Sequence, residues 1–171
     1  MTTLIDYVKS FEVRDAIANV RASDWAIGSN NDLLLETQSA ADWDYFIKTS
    51  KSYDVILMGS KTADSISDNW RKTGVVLKGR NVVVASRSKT LSPNTDRSRL
   101  LICGGQEIYE QCLTLCTVVF LTVTDVPSET KADAYFPKDL LNGNFYHALS
   151  TVPDTAPYVE FRIYFPGLPD G

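Results

Sequence analysis

The stretch Leu100–Gln111 reads LLICGGQEIYEQ: an apolar run, then two glycines, then a helix-like segment. Glycine has no Cβ, so Gly104 and Gly105 can adopt φ > 0 and let a ligand approach the main chain closely. A helix beginning at Gln106 would aim its free N–H groups at that ligand, an arrangement suited to phosphate. The same dipeptide also reads as a tight strand-to-helix turn with packed backbones. A second stretch, SAADWDYF, places Asp42 four residues before Phe46, on one face of a helix, whereas Asp44 points elsewhere and reads as solvated surface. A lone carboxyl in apolar surroundings has a raised pKa and can deliver a proton. Ser39 with Asp42 equally forms a capping-box pattern, which needs no chemistry. Three cysteines without a C-x-x-C pair, and His147 as the only histidine, argue for free thiols in a reducing compartment and against a metal site.

A chain of 171 residues, 44% hydrophobic and 22% charged, has the composition of one globular domain with a sizeable core. A net charge of -4 with no long basic run argues against nucleic acid as a partner. No apolar run approaches the roughly 20 residues that span a bilayer, and MTTLIDYVKSFEV lacks the pattern of a signal peptide. The expectation is a cytoplasmic protein without membrane contact.

The elements that would carry these residues follow from hydrophobic periodicity. Apolar, β-branched runs predict strands at Ala16–Val20, Val55–Met58, Asn81–Ala85, Leu100–Cys103 and Thr117–Val123. Helix signals lie between several of them: Ser39 as a cap before Trp43, Phe46 and Ile47, then Lys61–Ile66 and Gln106–Leu113. Strands alternating with short helices predict an α/β domain with a mostly parallel central sheet and flanking helices. Phe145–Thr151 and Val159–Phe165, joined by a Pro-containing loop, predict a C-terminal antiparallel hairpin. Residues 1–12 form an additional N-terminal segment, in which Leu4, Ile5, Val8 and Phe11 fall at helical spacing, and 166–171 form a loose tail.

Five segments, in order, resemble the dihydrofolate reductase family. AIGSNNDL (Ala26–Leu33) resembles its first loop, VILMGSKTADSI (Val55–Ile66) its phosphate-binding strand-to-helix turn, and LKGRNVVVASRS (Leu77–Ser88) its substrate-arginine and adenosine-phosphate segment. ICGGQEIYEQCL (Ile102–Leu113) resembles the glycine pair and helix start over the cofactor, and VFLTVTDVPSETKADAYFP (Val119–Pro137) the strand and loop that follow. Agreement in order makes the set far more specific than any one motif. The resemblance covers Ala16–Phe165 and implies a dihydrofolate reductase-like fold, with NADPH reducing 7,8-dihydrofolate to tetrahydrofolate. A monomer is expected, with a dimer as the alternative. A related reductase of pyrimidine or riboflavin metabolism, or a folate- and NADPH-binding module with little turnover, are the alternative readings.

Residue by residue, the resemblance implies Asp42 as the acid, because hydride transfer to a pterin C=N needs a proton on the adjacent nitrogen. It implies Val20, Trp43, Phe46, Ile66, Leu77, Cys103 and Tyr109 as substrate contacts, with Thr122 hydrogen-bonding Asp42. Arg80 would pair with the substrate's glutamate carboxylate, for which a guanidinium's two-pronged geometry is apt. Cofactor contacts would come from Ala22, Ile27, Gly59, Lys61 and Thr62, then Ser86 and Arg87 at the adenosine phosphate. Gly104, Gly105, Gln106, Glu107 and Ile108 complete the set.

The chain also departs from the family pattern. After the first loop it runs Leu34, Leu35, Glu36, where the family has proline and tryptophan, and this puts loop closure and proton delivery in question. The connection Ser88–Arg99 is a dozen residues long, too short for a crossover helix of normal size. The expectation is that Thr2–Phe11 forms an amphipathic helix covering the sheet face this leaves bare.

Overall fold

The computed structural model describes residues 2–86, 91–92 and 98–167. Arg87, most of the Ser88–Arg99 connection and the end of the tail lie outside them. Ten strands are described: β1 (Val13–Arg21), β2 (Ala26–Ser29), β3 (Asp32–Leu33), β4 (Val55–Gly59), β5 (Val82–Ala85), β6 (Arg99–Ile102), β7 (Val118–Thr124), β8 (Ala134–Tyr135), β9 (Phe145–Thr151) and β10 (Val159–Pro166). The helices are α1 (Leu4–Lys9), α2 (Ala40–Ser50), α3 (Ser60–Ile66), α4 (Trp70–Thr73), α5 (Gln106–Cys112) and α6 (Lys138–Asn144).

Seven strands form one sheet in the order β5-β4-β6-β1-β7-β10-β9. The pairings from β5 through to β7 are parallel, and β10 runs antiparallel to both β7 and β9. The predicted mostly parallel sheet with a C-terminal hairpin is thus present. The sequence reading contains no counterpart of the second sheet, β3-β2-β8, which is antiparallel and built from strands of two to four residues. Such short strands carry too little alternation to register as a pattern.

Side-chain alternation divides the central strands between two layers. Ala16, Ala18 and Val20 of β1 join Val55, Leu57, Leu100, Ile102, Val119 and Leu121 in the larger core, together with α5 and α6 side chains. On the opposite face Ile56, Met58 and Val84 form a smaller core with Val76 and Leu77, against which Phe46 of α2 and Ile66 of α3 pack. Tyr45 of α2 stacks on Phe161 of β10 with ring centroids 4.2 Å apart and meets Phe120 of β7 edge-on.

The N-terminal segment is helical as expected, started by Thr3, whose side chain accepts from the Asp6 N–H. Its buried stripe is Tyr7, Val8 and Phe11, with Leu4 at the margin, and it lies in the larger core against α5. Thr2 also bridges to Leu91. Ile5, expected on that stripe, is 38% exposed, and Tyr7 takes its place. Helix geometry explains the correction: Leu4, Tyr7, Val8 and Phe11 are spaced i, i+3, i+4, i+7, and Ile5 lies one step around from them.

Candidate active site

Asp42 enters the site through α2. Ser39 caps that helix by accepting from the Asp42 N–H at 3.1 Å, so the predicted cap exists and leaves the Asp42 carboxyl free for another partner. Capping and chemistry are not alternatives here: the backbone of Asp42 serves the one and its side chain is available for the other. Asp44 lies on the solvent side, paired with Lys48 at 2.8 Å.

The Asp42 carboxyl is directed at β1 and β7. Burial raises its pKa, and Thr122 and then Asn19 act in the opposite sense as hydrogen-bond donors to the charged form. Asn19 and Thr122 are register partners in the parallel β1–β7 ladder, so their side chains emerge side by side. Thr122 Oγ1 is buried without a well-formed hydrogen bond, approaching the carboxyl without closing onto it. Tyr45, one turn from Asp42, has its own pKa raised by burial and then by the neighbouring Asp42 charge.

Sequence reasoning passed over Asn19, and its signal was present: a polar residue inside the otherwise buried run Ala16–Val20. Val20, by contrast, places its side chain in the larger core on the other face of β1. Arg21, the next residue on the Asn19 face, is also buried. It pairs with Asp24 at 2.6 Å and Glu36 at 3.2 Å, and donates to Ser128 Oγ and the Thr130 carbonyl. Ser128 in turn donates to Glu36. This cluster ties the first loop to the loop after β7. Within that first loop Leu34 turns inward and is 1% exposed, whereas Leu35 is 80% exposed.

The glycine pair stands where β6 ends and α5 begins. Gly104 has φ +115°, a conformation open to glycine, and the Gly104–Gly105 peptide is cis. Its carbonyl accepts from Gly59 N at 2.9 Å, which joins the end of β4 to the end of β6. A Cβ on Gly104 would come within 3.3 Å of both Thr62 Oγ1 and Tyr109 Oη; one on Gly105 would lie 3.6 Å from Thr62 Oγ1. Gly59, Thr62, Gly104, Gly105, Ile108 and Tyr109 therefore converge at the start of α3 and α5. Neither helix has a side-chain cap at its first turn. Tyr109 is buried and donates to the Ile17 carbonyl at 2.6 Å. Ile108 is buried beneath Gly59.

Several other expected contacts occupy defined positions. Phe46, Ile66, Leu77 and Cys103 sit together at the smaller core, and Trp43 lies 5.5 Å from Phe46 but is 46% exposed. Arg80 donates from Nε to Ser50 Oγ and from Nη2 to the Ile47 carbonyl, docking on the C-terminal end of α2. Gln106 donates to Glu110 and accepts from Tyr135 N, tying α5 to β8. Ala22 and Ile27 pack at the larger core, while Lys61, Ser86 and Glu107 are exposed.

A mostly parallel α/β sheet with a shielded carboxyl over two central strands, and a bare glycine turn at the strand ends, defines a class of domain whose ligands sit at the carboxyl edge of the sheet. A family model described as dihydrofolate reductase matches residues 16–155, and the chain belongs to that family. Among solved structures it is similar to a dihydrofolate reductase from Enterococcus faecalis complexed with NADP(H) and RAB-propyl. The TM-score is 0.67 at 14% identity, covering 92% of this chain and 98% of that one. At that identity the likeness concerns the fold. No curated protein sequence matches the chain.

Proposed function

We propose that the protein reduces 7,8-dihydrofolate to 5,6,7,8-tetrahydrofolate with NADPH, Asp42 supplying the proton. The observation that carries this reading is the Asp42 carboxyl, held over β1 and β7 with its pKa raised by burial. A carboxyl kept protonated closer to neutral pH can donate to the pterin nitrogen while a hydride reaches the adjacent carbon. Asp42 is only partly shielded as a residue, so solvent can restore its proton after each turnover.

The residues fit a dinucleotide. Gly59, Gly104 and Gly105 leave bare main chain at the ends of β4 and β6, and a Cβ at Gly104 would press on Thr62 Oγ1 and Tyr109 Oη at 3.3 Å. Gly59, Thr62, Gly104 and Gly105 would hold the pyrophosphate, with Lys61, Ser86 and Arg87 expected toward the adenosine phosphate. NADPH, when bound, supplies the hydride. Tyr109, fixed by its bond to the Ile17 carbonyl, lies against Gly104. Phe46, Ile66 and Leu77 offer an apolar wall for the pterin and its ring extension. Arg80 keeps a second N–H on each Nη for the substrate carboxylate, while Nε and Nη2 hold it to α2 and Nη1 donates to the Gly79 carbonyl. The dry side of the site is thereby apolar and its charged ends lie at the periphery.

Loss of NADPH absorbance on adding dihydrofolate is the test. The expected result is dihydrofolate-dependent oxidation. Absent turnover, with melting still raised by NADPH and by methotrexate, would leave a binding module instead.

A further inference from the structure

Asn19 makes two hydrogen bonds that tie the segment before α2 to the sheet. Its Nδ2 donates to the Thr37 carbonyl at 2.7 Å, and its Oδ1 accepts from Thr124 Oγ1 at 2.8 Å. A main-chain carbonyl can only accept, so it is the amide nitrogen that faces Thr37 and the oxygen that faces Thr124. The nitrogen retains a second N–H, at the strand position that pairs with Thr122, and both side chains favour the charged form of Asp42. We propose that Asn19 is a positioning residue for the acid, one amide that fastens the segment entering α2 to the sheet and holds the Asp42 carboxyl against β1 and β7. The inference rests on the reading of Asp42 as the proton donor.

The geometry of β1 supports this. Asn19 and Arg21 leave the strand on the same face, and both fasten the turn before α2: Arg21 through the Glu36 carboxylate, Asn19 through the Thr37 carbonyl. Of the two, Asn19 is the one that favours the charged form of Asp42. An apolar side chain at position 19 would leave the Thr37 carbonyl and the Thr124 hydroxyl each short of a partner, a costly combination away from water. Thr122 does not substitute for it, because its hydroxyl makes no bond to the Thr37 carbonyl.

The other ionisable groups nearby leave the carboxyl's charge to these two donors. Tyr45 on α2, Tyr109 on α5 and Cys103 after β6 are all pushed up by burial and stay neutral at physiological pH. Arg21 and Glu36 are engaged with each other.

The experiment follows the Asp42 carboxyl by 13C NMR in protein labelled at aspartate side-chain carboxyls, with Asp42→Asn to assign the signal, and compares the parent with Asn19→Leu. The titration of Asp42 is expected to move to higher pH in the variant, because a donor to the charged form has gone. In turnover with dihydrofolate and NADPH, the alkaline limb should move the same way and the plateau kcat should fall by about tenfold, with KM for NADPH changed by less than about twofold. A purely structural bridge would lower the melting temperature without moving the titration. Asn19→Ser, which is too short to span Thr37 and Asp42 together, provides the same two readouts should the leucine variant not fold. An Asp42 titration that stays in place in the folded variant overturns the proposal. Absence of dihydrofolate turnover in the parent protein overturns the reaction instead, and the NMR titration still decides the role of Asn19.

Discussion

A carboxyl shielded from water is useful as a proton donor for the same reason that it weakens the fold: its charged form is disfavoured. The folded-state pKa of Asp42 lies above its ordinary 3.8, so folding takes up a proton between those two values and stability falls as pH rises through that window. Asp42→Asn removes the burden. The variant should lose on the order of a hundredfold or more in kcat at neutral pH, with a smaller loss in acid, yet melt a few degrees higher than the parent at pH 7. Below pH 3.8 the melting advantage should vanish, which a calorimetric pH series would check. At Gly104 conformation and space act together. Gly104→Ala would force a side chain into φ +115° with 3.3 Å contacts to Thr62 and Tyr109. About 1–3 kcal/mol of stability should be lost, and NADPH affinity, read by fluorescence titration, should drop at least about tenfold. Both residues stand out in the sequence itself, one as a carboxyl among aromatics and the other as half of a glycine pair at a strand end. Asn19 shows in the sequence only as a polar residue in an apolar run, and its partners Thr37 and Thr124 lie outside β1.

Among the elements, α1 shows how a short helix is stabilised by packing and not by propensity. Six residues are too few to be helical alone, and Tyr7, Val8 and Phe11 hold the segment to the larger core. Phe11 is 3% exposed, so Phe11→Ala should cost about 3–5 kcal/mol in denaturant unfolding. Deleting residues 2–11 should lower the melting temperature by about 10 °C or more, since burial of those three side chains contributes roughly 4–8 kcal/mol before ordering entropy. A deletion that melts like the parent would show that α1 only decorates the surface. The strand and helix cores matched the sequence reading closely, from Val55 in β4 to the α2 cap at Ser39, since period and cap are local signals. The β3-β2-β8 sheet did not, being held by pairing between Ala26 and Tyr135 across the chain.

For the molecule as a whole, the three thiols report on global packing. Cys112 and Cys116 are buried and Cys103 is half-buried; burial pushes all three up, Cys112 to about 11. The native protein should therefore react slowly with a disulfide-exchange reagent at pH 7.5, and all three thiols should react rapidly once it is denatured. Fast labelling of the native state would mean that the sheet opens readily. Among the described residues no helix is long and apolar enough to cross a membrane. The sequence by itself determined the parallel α/β plan, the helix-start cap at Ser39, the glycine turn and the place of Asp42 on its helix, because each depends on residues within a turn or a strand of one another. Tertiary structure alone decided that Asn19 and Thr122 stand side by side near Asp42, that Arg80 docks on the end of α2, and that Tyr7 replaces Ile5 in the core. The reason is strand register. It is set by which faces of β1 and β7 can be buried together, and it brings side chains such as Asn19 and Thr124, 105 positions apart, into one hydrogen bond.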